Sequence, residues 1–218
     1  MDSSEIENGH PAKAVIFANG PVPQKDFVEL FINENDLVIC ADGGANRIVG
    51  YDIVPNVIIG DFDSVTVETL RIFQGVKIKR DPDQDTSDLY KSFVYAESRN
   101  VHEVIVFGAI GGRPDHFLIN ISLLKTFHDR LDIQYIDDQC AIVLISEKCT
   151  ISGKTGQTIS VWPFTETVAG LSTKGLTPQL ADYTFHRGMR TLSLKAVEQD
   201  VTISLSNGMV IAVFNHSI

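Results

Sequence analysis

Short apolar runs rich in β-branched residues recur along the first half of the chain: AVIFA (14–18), LVICA (37–41), NVIIG (56–60), GVKIK (75–79), EVIVFG (103–108) and DIQYI (132–136). Each has the length and composition of a strand. Between them the period lengthens. Phe27, Leu30 and Phe31 fall on helical spacing, as do Leu89, Phe93 and Ala96, and then Phe117, Ile121 and Leu124. Strand and helix in alternation predict an α/β domain, a mostly parallel sheet with helices on both faces. After about residue 140 the helical period disappears. AIVLIS (141–146), TIS (150–152), QTISVWPF (157–164), TLSLKAV (191–197), DVTISL (200–205) and MVIAVF (209–214) read as strands punctuated by Gly, Thr, Ser and Pro. They predict a smaller all-β sandwich or open barrel. The change of pattern sets a boundary near Asp138–Ala141, giving an α/β domain over 1–139 and an all-β domain over 140–218.

The polar residues of the first half gather where its strands end. LVICA runs into Asp42-Gly43-Gly44-Ala45-Asn46, and NVIIG into Asp61-Phe62-Asp63-Ser64. GVKIK is followed by Asp81-Pro82-Asp83-Gln84-Asp85-Thr86-Ser87-Asp88, and EVIVFG by Ala109-Ile110-Gly111-Gly112-Arg113-Pro114-Asp115-His116. In a parallel sheet such turns share one edge, where ligands of open α/β sheets bind. If the backbone stays extended past Ile59, Asp61 and Asp63 face one side and Phe62 the core. Two carboxylates that close raise each other's pKa unless a cation intervenes, and magnesium accepts one or two carboxylates together with substrate phosphates. The plainer reading is a solvated turn with Asp63 or Ser64 capping a helix from about Val65. In the next segment Thr86 or Asp85 is the candidate N-cap, and Asp88 stands in the first helical turn, three residues before Lys91. The helix dipole alone would account for an acid there. Four aspartates in eight residues exceed what capping needs, so one or two complete a magnesium site. At GGRPDH the paired glycines let backbone N–H groups approach a ligand, and Pro114 suits a first helical turn. That helix start favours an anion, Arg113 can fork onto a phosphate, and His116 shares a helical face with Asn120. The plainer reading of His116 is a surface or core histidine.

Charge narrows the partners. The 218 residues carry 18 basic and 28 acidic side chains, a formal net charge of -10. A chain this acidic is not a nucleic-acid binder working by phosphate neutralisation. The three cysteines, Cys40, Cys140 and Cys149, have no zinc-like spacing and sit in or beside apolar runs, as buried thiols of a cytoplasmic protein do. The opening MDSSEIENGHP lacks the basic and apolar regions of a secretory signal. No apolar run approaches the ~20 residues of a membrane span, so no membrane partner is expected. A P-loop is missing as well: the GKT at 153–155 has no glycine at the required spacing before it and lies in the all-β half. Phosphates would be handled by carboxylate-held metal and helix ends.

Taken together in this order, DGGAN (42–46), GDFDS (60–64), DQDTSD (83–88) with Lys91, and GGRPDH (111–116) resemble the thiamin pyrophosphokinase family. The resemblance implies transfer of pyrophosphate from ATP to the hydroxyl of thiamin, giving thiamin diphosphate and AMP. It also implies Mg2+ as cofactor and a homodimer in which the all-β domain of one subunit helps bind thiamin. Carried onto this sequence, Asp61, Asp63 and Asp88 hold the metal. Asp42, Gly43, Gly44 and Asn46 line the pocket, and Gln84, Asp85, Thr86 and Lys91 lie around the substrates. Arg113, Asp115, His116 and Asn120 sit by the phosphates or nucleotide. Asp61 or Asp85 relays the hydroxyl proton. Two other readings use the same residues, a magnesium-dependent hydrolase of nucleotides or diphosphates and a non-catalytic thiamin or nucleotide sensor. One departure from the family stands out: Arg187-Gly188 is followed by Met189-Arg190-Thr191 where the family carries a Ser-Asn pair. Trp162 replaces an expected aliphatic residue. A lone Trp is most simply a core residue, and if it faced a cleft it could stack on a cationic ring.

Overall fold

A computed structural model of the chain describes residues 11–152 and 155–216. The amino-terminal segment 1–10 and Gly153-Lys154 of the GKT turn lie outside the described residues. Two compact units divide at Ile133 and Gln134.

The first unit contains β1 (Ala14–Phe17), α1 (Lys25–Glu29), β2 (Leu37–Ala41), α2 (Gly44–Arg47), β3 (Val57–Gly60), α3 (Val67–Ile72), β4 (Lys77–Arg80), α4 (Asp88–Ser98), β5 (Glu103–Phe107) and α5 (Pro114–Phe127). Its strands run parallel in the order β5-β1-β2-β3-β4. Every residue of β1, β2 and β3 is buried, as expected of parallel strands covered on both faces. β4 is the exception. Its Lys77, Ile78, Lys79 and Arg80 are all exposed, so the sheet ends in a charged strand that discourages further pairing. The Nζ atoms of Lys77 and Lys79 lie over the Tyr95 ring, 5.7 and 5.3 Å from its centroid. Phe127, at the end of α5, is fully buried and meets the rings of Tyr90 and Phe93 from α4, each at 5.1 Å. These contacts lock α5 against α4.

The helix starts differ from the sequence reading for a local reason. Thr66 caps α3, its hydroxyl accepting from Thr69 N at 3.1 Å, in place of Asp63 or Ser64. Ser87 caps α4, accepting from Tyr90 N at 3.2 Å, in place of Thr86 or Asp85. Thr86 is diverted: its hydroxyl donates to Asp83 Oδ2 at 2.5 Å, while Asp83 Oδ1 accepts from Asp85 N at 3.1 Å. The acidic loop is folded on its own side chains before the helix begins.

The second unit begins within β6 (Asp132–Ile136) and continues with β7 (Cys140–Ile145), β8 (Lys148–Ser152), β9 (Thr158–Pro163), β10 (Thr167–Lys174), β11 (Leu176–Thr177), β12 (Tyr183–His186), β13 (Leu192–Ala196), β14 (Asp200–Ser204) and β15 (Val210–Asn215). The unit boundary precedes 139/140 because Gln134–Ile136 pair antiparallel with β7. The reversal between them is an Asx turn: Asp137 Oδ1 accepts from Gln139 N at 2.8 Å and from Cys140 N at 2.7 Å. Antiparallel strands in the order β11-β13-β9-β15-β7 and a four-stranded sheet β12-β10-β14-β8 share one apolar core, which includes Val161, Leu194 and Phe214 from the first and Leu171, Phe185 and Ile203 from the second. This is the sandwich expected of the alternating segments. β10 escaped the sequence reading because a bulge between Val168 and Leu171 breaks the period of two, and β11 and β12 escaped it as short strands of two and four residues. Gly170, at φ 68°, makes that bulge possible. Trp162 is half-buried on β9 beside the buried Val161 and Pro163 and stacks edge-on with Phe164 at 6.3 Å. It faces away from the sandwich core, so the core reading of this residue is corrected by the strand's alternation.

Truncation of Phe127 to Ala is expected to destabilise the first unit by about 3–5 kcal/mol, the usual cost of deleting a buried aromatic ring. Denaturant unfolding followed through the aromatic signal of that unit, against Leu118→Ala on the exposed face of α5, checks it.

Candidate functional site

The tips of β1, β2, β3 and β5 and the loop after β4 surround a cleft of about 790 Å³. Its wall includes Asp42, Gly43, Asp61, Asp63, Gln84, Asp85, Thr86, Asp88, Lys91, Arg113, His116 and Asn120. Gly44, Asn46 and Asp115, also named from sequence, do not line it. Gly44 serves close packing, since a Cβ there would fall 1.9 Å from Phe17 O.

Within the cleft, one oxygen from each of Asp42, Asp61 and Asp88 lies within 4.8 Å of the others. Asp63, expected in this group, stands outside it among the described residues. The cause is Phe62, whose φ of 70° turns the chain where an extended backbone was expected. Asp63 N then folds back onto Asp61 Oδ1 at 3.2 Å, and Asp63 Oδ1 accepts from the Ser64 hydroxyl at 2.7 Å. Phe62 itself is only half-buried and does not enter the core. Asp42, at φ 42° on the tip of β2, takes the vacated place.

Each carboxylate of the triplet is held from outside. Asp42 is 2% exposed, and its Oδ2 accepts from Ser64 N at 2.9 Å. Gln84 Nε2 donates to Asp61 Oδ2 at 2.7 Å. Lys91 Nζ reaches Asp88 Oδ1 at 3.4 Å while donating to Asp81 O at 2.9 Å and Asp83 O at 2.7 Å. Gly60 provides the clearance, because a Cβ there would sit 2.7 Å from Asp42 Cβ and 3.1 Å from Asp88 Oδ1. Asn46 works behind the wall. Its amide donates to Ser64 O at 2.9 Å and accepts from Thr66 N at 3.0 Å, bracing the loop that carries Asp61. Asn120 Nδ2 likewise holds Ala109 O at 3.0 Å under the glycine turn.

Electrostatics divide the acids. Burial raises the Asp42 and Asp88 carboxyls above the usual range; backbone N–H groups oppose this at Asp42, and Lys91 opposes it at Asp88. The Gln84 amide lowers Asp61. At the opposite rim Arg113, the N-terminal flank of α5, forks onto Asp115 and pulls that carboxyl down to about 2. The donor set suits a hard divalent cation. Two oxygens bound to one Mg2+ at ~2.1 Å stand at most about 4.2 Å apart, so small rotations of the three side chains would close the observed spacing. The sequence reading missed Asn19, Gly20 and Arg47, which also line the cleft. The first two carry the same signal as the other tips, a glycine turn directly after an apolar strand.

Fold and cleft together define an α/β protein with an appended all-β unit, carrying a cleft with three clustered carboxylates at the tips of its parallel strands. A family model, thiamin pyrophosphokinase catalytic domain, matches residues 28–135. Thiamine pyrophosphokinase 1 of Oryza sativa subsp. japonica is 32% identical over 164 residues, 64% of this chain and 61% of the relative. The thiamine pyrophosphokinase of Bacillus subtilis (strain 168) is 28% identical over 212 residues, 91% of this chain and 96% of the relative. The chain thus spans about three fifths of the rice relative's length. The crystal structure of thiamin pyrophosphokinase from Geobacillus thermodenitrificans has the same fold, with a TM-score of 0.84 at 23% identity over 94% of this chain and 97% of that one. Residues 28–135 thus match the catalytic domain of the thiamin pyrophosphokinase family.

Because burial holds the Asp88 carboxyl above its unfolded value, the charged form opposes folding at neutral pH. Asp88→Asn should therefore raise the melting temperature of the cation-free protein at pH 7, by on the order of a few degrees. The difference should shrink as pH falls through the raised folded-state pKa toward the ordinary carboxylate value, where wild type also becomes neutral at this position. Thermal melts in chelator between pH 7 and pH 4 read the effect.

Proposed function

We propose that this protein transfers pyrophosphate from ATP to the hydroxyl of thiamin, yielding thiamin diphosphate and AMP, with Mg2+ as cofactor. The observation that carries this reading is the convergence of Asp42, Asp61 and Asp88 in one cleft at the strand tips. The family match supports the substrates. The thiamin hydroxyl oxygen bonds to the β-phosphorus of ATP as the bond from that phosphorus to the oxygen bridging the α-phosphate breaks, and AMP leaves with that oxygen. The hydroxyl proton passes to a carboxylate of the rim, Asp61 or Asp85. The hydrogen bond from Gln84 makes Asp61 a weaker base than an ordinary aspartate, which suits it better to cation binding.

Most of what the chain does here is positioning and charge neutralisation. Asp42, Asp61 and Asp88 would hold Mg2+, which when bound neutralises phosphate charge. Lys91 keeps the acidic loop in shape through two backbone carbonyls, and Asn46 does the same for the loop after β3. Arg113 and His116 bound the nucleotide side, with Asp115 paired to Arg113 behind them. The same reading carries a homodimer in which the all-β unit supplies thiamin contacts. The half-buried Trp162, turned away from its own core, is a surface of the right chemistry for a thiazolium ring. It also carries a cytoplasmic location, in keeping with cysteines that form no disulfide among the described residues.

The test is formation of AMP and thiamin diphosphate from ATP, Mg2+ and thiamin, separated by anion exchange. Asp61→Asn should lower turnover by about 10²–10³-fold, the usual cost of losing one preorganised electrostatic group. Asp63→Asn should lose less, because Asp63 stands outside the triplet. AMP appearing at one rate with and without thiamin would replace the transferase reading with hydrolysis.

A further inference from the structure

On the reading above the cleft receives a triphosphate, yet carboxylates crowd its wall. A metal ion offsets part of the repulsion, and the remainder falls to basic side chains with charge available. Lys91, Arg113 and Arg47 are the lysine and arginine side chains lining the cleft among the described residues. The first is fully engaged: its side chain is 6% exposed and its three donors already meet Asp81 O, Asp83 O and Asp88 Oδ1. Arg113 is matched by an anion, with Nε 3.1 Å from Asp115 Oδ1 and Nη2 2.5 Å from Asp115 Oδ2.

Arg47 is held differently. Its Nε and Nη2 donate at 3.0 and 2.7 Å to a single neutral oxygen, the backbone carbonyl of Asn19 at the tip of β1. A carbonyl fixes the guanidinium plane without cancelling its charge. Two of five N–H donors are used there, and the side chain is otherwise exposed. The β1 and β2 tips are closely apposed behind it, since a Cβ on Gly43 would fall 2.5 Å from Asn19 Nδ2. The guanidinium is therefore oriented before any ligand arrives.

We propose that Arg47 is a phosphate-contacting residue of the cleft, gripping the β- and γ-phosphate end of the nucleotide through the donors that Asn19 leaves open. This inference rests on the nucleotide reading of the same cleft and deepens it. Lysine would supply charge without the planar fork that keeps two donors on the Asn19 carbonyl and presents the others at fixed angles.

Calorimetric titration of wild type, Arg47→Gln and Arg47→Lys with ATP and with AMP, in Mg2+, tests it without turnover. One charge-assisted hydrogen-bonding group is worth roughly 10–100-fold in affinity. Arg47→Gln should lose about that much for ATP and less than about 3-fold for AMP, and Arg47→Lys should recover part of the loss. A merely structural hold on the β1 tip would weaken ATP and AMP alike, and that result overturns the proposal, as does unchanged ATP affinity in Arg47→Gln. If Arg47→Gln fails to fold, the ATP-to-AMP ratio in Arg47→Lys decides on the same criterion. A wild-type protein that binds ATP but forms no thiamin diphosphate would defeat the transferase reading while leaving the Arg47 comparison intact. Wild type that binds no ATP defeats both.

Discussion

Three carboxylates that repel one another are kept within 4.8 Å, and much of the first unit can be understood as the means of keeping them there. Asp42 and Asp88 bear the added cost of burial. Repulsion of this kind is relieved by side chains rotating apart, so each must be pinned by something the repulsion cannot move. Asp42 is pinned by a backbone N–H of the loop after β3, Asp61 by Gln84 in the loop after β4, and Asp88 by Lys91 one turn along the same helix. Every pin comes from an adjacent strand's loop or from the helix that follows it. β2, β3 and β4 are consecutive neighbours in the sheet, so the loops that must interlock leave from adjacent tips. Gly60 completes the arrangement by omitting the Cβ that would separate Asp42 from Asp88.

The same logic explains which parts could be read from the sequence. Fully buried parallel strands announce themselves as short apolar runs, and the polar turns after them mark one rim of the sheet. That is enough to bring Asp42, Asp61 and Asp88 to one place. What it lacks is the backbone path inside each turn. The pairing of Asp61 with Asp63 rested on an extended chain, and the left-handed Phe62 exchanges Asp63 for Asp42. No composition rule marks a phenylalanine for that conformation. Likewise DGGAN reads as a pocket lining, whereas Gly44 and Asn46 stand behind the wall and support it. Arg47 was passed over because it closes no recognisable motif. Its importance arises only when Asn19, far away in sequence, supplies the carbonyl that orients it. In the all-β unit the period of two identified six strands and missed β10, where the bulge interrupts it, together with the short β11 and β12.

The two kinds of sheet also limit where chemistry can be placed. A strand buried on both faces has no side chain free to meet a ligand, so β1, β2 and β3 can offer function only at their tips, through loops. Such loops are held by few contacts of their own, which is why so many polar residues here hydrogen-bond to loop backbone and not to anything in the cleft. An antiparallel strand with one buried face is under no such restriction. β9 buries Ile159, Val161 and Pro163 and leaves Ser160 and Trp162 on the opposite face. A binding surface can therefore run along the strands of the second unit, with the sandwich core as its rigid backing. A departure such as the missing Ser-Asn pair after Gly188 is easier to absorb on a surface of that kind, where neighbouring outward positions can compensate. At the strand tips of the first unit, moving one carboxylate disturbs the pins of the other two.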